Sequence, residues 1–169
     1  MPKTIAEERI KLVALTTKPA DPYKPKVTEL AAGKDLSCSV LFSDFRLSPT
    51  ASDTVSEPAL CEGGNSAVPT KSNFEGNVSI FRFIDPLTGL AVTAEDFAWS
   101  LAKEKGTELH LYKRIGPKFS AAFAANQDVE YYHALTDEPQ DPSDFGGYIK
   151  KVIPLLVQGD SKVNCTVAA

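Results

Sequence analysis

A chain of 169 residues is long enough for one domain with a sizeable core and short for two. Its 43% hydrophobic and 24% charged residues describe an ordinary globular protein rather than a disordered or membrane-embedded one. A net charge of −4, with Lys and Arg scattered along the chain, argues against a high-affinity duplex-DNA binder, which neutralises phosphates with a clustered basic face.

Residues 1–9 form a polar arm, and the N-terminal stretch has neither a signal-type apolar core nor a run long enough to span a bilayer. No membrane insertion is expected. Residues 10–16 are aliphatic and β-branched and predict a strand, ended by the approach to Pro19. Pro19, Pro22 and Pro25 hold an extended linker, after which residues 28–32 predict one helical turn with Thr28 as cap and Gly33 as stop. In residues 36–42, Leu36, Cys38, Val40 and Phe42 alternate with Ser37, Ser39 and Leu41, the period of two of a strand.

Residues 43–73 are rich in Ser, Thr, Pro and Gly and lack periodicity. So long an excursion within a compact domain is usually a binding arm, functional or disordered. Strand composition returns over residues 74–84, where Val78, Ile80 and Ile84 on one side oppose Phe81 and Phe83 on the other, so that both faces should meet protein. Residues 85–89 predict a turn. Thr93 and Asp96 could form a capping box for a helix over 94–105, with Phe97, Ala98, Leu101 and Ala102 on its apolar stripe and Gly106 at its end. Residues 108–115, 129–136, 148–157 and 162–168 all read as strands. About seven strands and one helix predict a mainly β fold, a mostly antiparallel sandwich or barrel with a flanking α-helix and a long extended loop. The domain expectation is a single unit over 1–169, with no internal repeat.

The search for chemistry yields no catalytic, cofactor-binding or metal residue. His110 and His133, the only histidines, lie in strand-like stretches where an imidazole is usually half-buried or at the surface; their functional reading is a general base or metal ligand. Cys165 could be drawn as a nucleophile with either histidine, but a small strand residue fits its context better. Cys38, Cys61 and Cys165 fit neither a disulfide framework nor zinc-ligand spacing, which makes a reducing cytoplasm the default site of synthesis. The acids Asp137, Glu138, Asp141 and Asp144 lack the alternation and turn glycine of a calcium loop and read as a solvated turn. Gly63, Gly64, Gly146 and Gly147 do not complete a phosphate-binding motif. Tyr131, Tyr132, Phe81 and Phe83 lack the interleaved basic residues of a base-stacking surface and read as core or interface.

Four segments together carry a resemblance: SDFRLSPTASDTVSEPALC over 43–61, NFEGNVSIFRF over 73–83, WSLAKEKGTELHLYKRIGPK over 99–118 and DPSDFGGYIKKVIPLLVQ over 141–158. The chain resembles the major tail proteins, or tail tube proteins, of siphophages infecting actinobacteria. That resemblance implies a structural virion protein, not an enzyme, with a tail-tube-type β-sandwich or barrel and no cofactors. It implies self-assembly into hexameric rings that stack as a hollow tube, conducting phage double-stranded DNA without specific binding. The implied partners are other copies of the chain, a tape measure protein, a tail terminator and distal tail proteins. The excursion over 47–72 would make the main contact between rings, and the acidic balance suits a lumen that does not hold DNA. The alternatives are a virion β-sandwich binding or decoration module, and the inner tube protein of a contractile injection system.

Overall fold

The computed structural model describes residues 4–61, 63–64 and 66–169. Its framework is an eight-stranded antiparallel sheet. In chain order the elements are β1 (Ile10–Leu15), α1 (Val27–Ala32), β2 (Lys34–Asp35), β3 (Arg46–Thr50), β4 (Thr54–Val55), β5 (Val68–Pro69), β6 (Asn73–Phe81), α2 (Phe97–Ala102), β7 (Glu108–Ile115), β8 (Asp128–Thr136), β9 (Lys150–Val157) and β10 (Lys162–Thr166). The strand order is β2-β1-β7-β8-β9-β6-β3, with β10 also on β8 and β4–β5 forming a separate small ladder. The mainly β class with flanking helix expected from the sequence is the class observed.

β9 and β10 both run antiparallel to β8, end to end along it. Ala134 pairs with Val157 and Tyr131 with Lys162, so the two strands are one extended path interrupted at residues 158–161. The interruption lets β9 turn away from β8 to pair with β6 over Gly76↔Leu155 to Phe81↔Lys150. A break of this kind bends the sheet and lets it fold over its own core.

The two margins of the curled sheet are laced together by one irregular segment. Leu36 donates its amide to the Leu12 carbonyl on β1, while Leu41 and Phe81 bond to Ser79 and Ser39 across to β6. Val40 makes a single bridge to Ile80. The strand expected over 36–42 is therefore replaced by turns, because its backbone groups are divided between two different strands. Cys38 and Phe42 consequently point to solvent rather than to the core.

Both faces of the central strands are covered, as the apolar groups on alternate positions require. One face buries Leu12, Leu111, Tyr132, Ile80, Ile153 and Leu47 against Ala98 and Ala102 of α2. The other buries Val13, Tyr112, Tyr131 and Val129 beneath Leu30 of α1, Phe123 and Val167. Each fully buried large aliphatic or aromatic side chain contributes about 1.5–3 kcal/mol of burial. The second core is closed by Arg114, only 1% exposed, which donates to the carbonyls of Lys118, Ala121 and Ala122 and so ties the loop after β7 beneath the sheet.

The helix expected over 94–105 is shorter. Asp96 occupies the cap position but makes no capping bond. Its carboxylate instead receives Nε and Nη2 of Arg82 and the amide of Phe83, and Arg82 lies 4.3 Å over the Trp99 ring. A buried ion pair thus takes the carboxylate that the capping box would have used. α1 likewise begins at Val27 rather than Thr28, with Glu29 accepting the Lys26 amide at its start. Beyond Thr136 and Thr166 the ladders end, two residues earlier at the C-terminal side than expected for the last strand. Of the N-terminal arm, residues 1–3 lie outside the described residues; Glu8 and Arg9 accept bonds from Phe119 and Gly116, docking its end beside β7.

Candidate functional site

The excursion over 43–73 is not a structureless loop. Its first part is β3, an outer strand paired in register with β6 from Arg46↔Asn77 to Thr50↔Asn73. Lys113 reaches from β7 to the Leu47 carbonyl (2.7 Å) and to Glu130 (2.7 Å), clamping the root of the excursion to the central sheet. Past Thr50 the hairpin continues as an arm: Asp53 exchanges amide and carbonyl bonds with Lys71 and Thr70, and β4 pairs with β5. Every described residue from 51 to 72 is exposed. Val55 (48%), Val68 (62%) and Leu60 are among the large apolar groups left in solvent.

A second exposed apolar group lies at the other end of β6. There Leu87, Leu90 and Val92 sit on the turn after the strand, which is held by the Asp85–Leu90 and Phe83–Val92 bonds. Phe145, Tyr148 and Ile149 come from the segment before β9, joined to the same end by the Phe81–Tyr148 ring contact at 5.9 Å and the Arg82–Ile149 backbone bond. β6, nine residues long, spans about 27 Å between its termini at ~3.3–3.4 Å per residue. Two groups of solvent-exposed apolar side chains therefore sit at opposite ends of one strand, and two different surface patches are what heterologous, head-to-tail contacts use.

The residues weighed for chemistry are placed as follows. Tyr131 and Tyr132 are fully buried on opposite faces, so neither can stack a base. Phe81 and Phe83 are half-buried at the β6 end. Burial pushes the hydroxyl pKa of both tyrosines well up, and Glu130 adds to the effect at Tyr132. Cys165 is buried, its thiol pKa raised by burial, and its Sγ bonds to the Lys162 carbonyl. The acids of 137–144 do not converge. Asp137 is held by the Glu138 amide and Lys105, which lower its pKa; Asp141 pairs with Lys151; and Asp144 accepts the Gly146 amide. Gly63 and Gly64 lie in the exposed arm, and Gly146 and Gly147 in the exposed loop before β9.

The histidines are the exception. They are direct cross-strand partners on β7 and β8, their rings 5.0 Å apart, and Glu108 lies two residues before His110 on the same face. Burial and the neighbouring His133 keep the pKa of His110 below the ordinary value. Spacing in the sequence could not reveal this, because it depends on the β7–β8 register.

The chain is a mainly β protein, a curled, two-cored antiparallel sheet from which one hairpin projects. The model of the phage tail tube protein family matches residues 1–169, and the chain belongs to that family. Among solved structures it is similar to a chain in the cryo-EM structure of the anti-feeding prophage baseplate, 6-fold symmetrised, with 15% identity, a TM-score of 0.52 and 96% of each chain covered. At that identity the likeness is one of fold. No curated protein matches the sequence. Family membership makes this a structural component of a phage tail. No helix among the described residues is long and apolar enough to cross a membrane.

Proposed function

We propose that the chain, acting as one domain over 1–169, is the subunit of a siphophage tail tube: six copies close a ring, rings stack, and the bore conducts double-stranded DNA without holding it. The observation that carries the reading is the exposed hairpin over 51–72, on a chain matched along its whole length by the tail tube family. An extended apolar-bearing arm with its root clamped by Lys113 is built to be ordered by a partner. In the stacked tube it reaches the next ring, and the apolar loops at the far end of β6 receive the ring behind.

Its partners are other copies of itself along the tube, a tape measure protein within it and terminator and distal tail proteins at its ends. The four sequence segments point to a phage of actinobacteria, with synthesis in the host cytoplasm. A second reading, the inner tube of a contractile injection system, is favoured by the fold likeness to the anti-feeding prophage baseplate chain.

Negative-stain electron microscopy with size-exclusion light scattering on the purified full chain tests the assembly. Six-fold rings or tubes are expected, and a chain that stays monomeric at high concentration, even with tail-tip complexes added as initiators, would overturn it. Packaging of DNA in virions whose tails contain this chain, against tubes accompanied by a sheath and protein cargo, separates the two readings.

A further inference from the structure

We propose that Glu108, His110 and His133 form a binding site for one divalent first-row transition ion, with zinc the default occupant. One ligand atom from each lies within 4.8 Å of the others. Glu108 Oε1 is 2.8 Å from His133 Nε2 and 3.6 Å from His110 Nε2. Ligand atoms around a tetrahedral zinc with bonds of ~2.0–2.1 Å are about 3.3 Å apart. The two carboxylate–imidazole separations bracket that value, and the third, between the two imidazole ligand nitrogens, is no more than 4.8 Å.

The orientation of the rings makes the cluster more than a chance neighbourhood. His133 Nδ1 is 2.7 Å from Asp160 Oδ1, and His110 Nδ1 is 2.9 Å from the Tyr131 hydroxyl. Asp160 accepts from the Nδ1–H of His133 and the Tyr131 hydroxyl can accept from that of His110, as outer-shell groups do for metal-bound imidazoles, so that each Nε2, once it has released its proton, offers its lone pair to a metal on the Glu108 side. The His110 side chain is 2% exposed and His133 18%, whereas Glu108 at 55% leaves the site open to entering ions and to a fourth ligand from solvent.

The fold supplies these groups locally. The register sets His110 opposite His133, and the interruption between β9 and β10 places Asp160 against His133 while Ser161 accepts the His133 amide. Lys18 is the nearby cation, 3.5 Å from the other Asp160 oxygen and more than half exposed, so that it balances Asp160 without entering the ligand set. A 2-His-1-carboxylate set suits zinc, nickel, copper or iron better than magnesium or calcium, which prefer oxygen.

The chain contains only two histidines, which makes the test decisive. The full chain, freed of any affinity tag and stripped with chelator, is titrated with zinc by calorimetry, and the loaded protein is examined by X-ray absorption whether monomeric or assembled. One zinc per chain with two imidazoles at about 2.0–2.1 Å is the expected result. A hundredfold excess of zinc over Kd raises the melting temperature by roughly 5–11 °C. His133→Gln and Glu108→Gln, at partly exposed positions, each weaken binding at least about a hundredfold, and Asp160→Asn by about 10–100-fold through the lost support of His133. No stoichiometric binding, a spectrum with fewer than two imidazoles, or affinity unchanged in folded His133→Gln and Glu108→Gln chains would overturn the site and leave the cluster as an ion pair of His133 between two carboxylates.

Discussion

Excising the arm should separate folding from assembly. Thr50 and Asn73 are the last paired residues of β3 and β6, so replacing residues 51–72 with Asn-Gly closes the hairpin with a two-residue turn and keeps its register. What is lost within the subunit is small: two residue pairs between β4 and β5, the bonds of Asp53 with Lys71 and Thr70, those of Asn73 to Ala51 and Asp53, and side chains that are all exposed where described. An isolated ladder of that size is marginal in water. What is gained is loop-closure entropy. Shortening a connection of roughly 22 residues to two is between three and four halvings at ~0.6 kcal/mol each, or about 2 kcal/mol. With a melting temperature that moves by about 2–4 °C per kcal/mol in a domain of this size, the excised chain should melt at the same temperature as the parent or up to ~8 °C higher. Calorimetry reads the melting, and electron microscopy reads the assembly, in which stacked tubes should be lost while single rings remain. An excised chain that melts well below the parent would refute the separation, and one that still forms long tubes would refute the role of the arm.

Asp96→Asn leaves Arg82 largely buried without its carboxylate, and should cost about 3–5 kcal/mol, a fall of roughly 6–20 °C in melting temperature by calorimetry. Gly76→Ala would bring a Cβ to 2.8 Å from Leu155 Cβ and 2.9 Å from Val157 Cγ2 on the paired strand. Because a Cβ cannot move without its backbone, this substitution should destabilise by about 1–3 kcal/mol in denaturant titration, although alanine is otherwise preferred to glycine in a strand. The Glu29 carboxyl is held below its ordinary pKa by the amides of Lys26 and Ala20 at the start of α1. A depressed folded-state pKa contributes stability that is present above the unfolded value and lost as pH falls through the folded one. Glu29→Gln should therefore melt below the parent at pH 7, by the equivalent of about 0.3–1 kcal/mol, with the gap closing below about pH 4 as the parent carboxyl also becomes neutral; a gap that persists in acid would show that the charge is not its source.

The strands that carry alternating or continuous apolar residues were legible: residues 10–16, 108–115 and 129–136 match β1, β7 and β8 to within a residue at either end. They are legible because burial on a pleated sheet imposes the period directly. Residues 36–42 have the same period and are not a strand, since periodicity records which side chains seek the core and cannot say whether backbone groups find one partner strand or two. β3 was hidden for the opposite reason. With Pro49 in it and only Leu47 deeply buried, it is an outer strand with no alternation to read, and its existence depends on β6. Asp96 reads as the capping-box partner of Thr93 because the two are close in sequence, while the fold brings Arg82 within 2.9 Å of its carboxylate. The arm was visible as an anomaly of composition, and its character as a hairpin was not. The His110–His133 pair was invisible, because 23 residues of sequence separation become a direct cross-strand contact only once the register is fixed.

That register also explains how one chain can satisfy both a stable subunit and a sticky one. The central strands β1, β7 and β8 spend both faces on internal cores, so little of them is left to recruit a neighbour. β3 and β6, at the far margin, face a core on one side and run outward into the arm, with Lys113 binding their root to the centre through the Leu47 carbonyl. Contacts made by the arm therefore add to the subunit without drawing on the packing that folds it, and a load on the arm passes along β6 to the apolar loops around Leu87 and Tyr148 at its other end. In the tube we propose, cohesion between rings needs such a path through every subunit, and a nine-residue strand paired on both sides offers backbone hydrogen bonds for it rather than side chains that could slip.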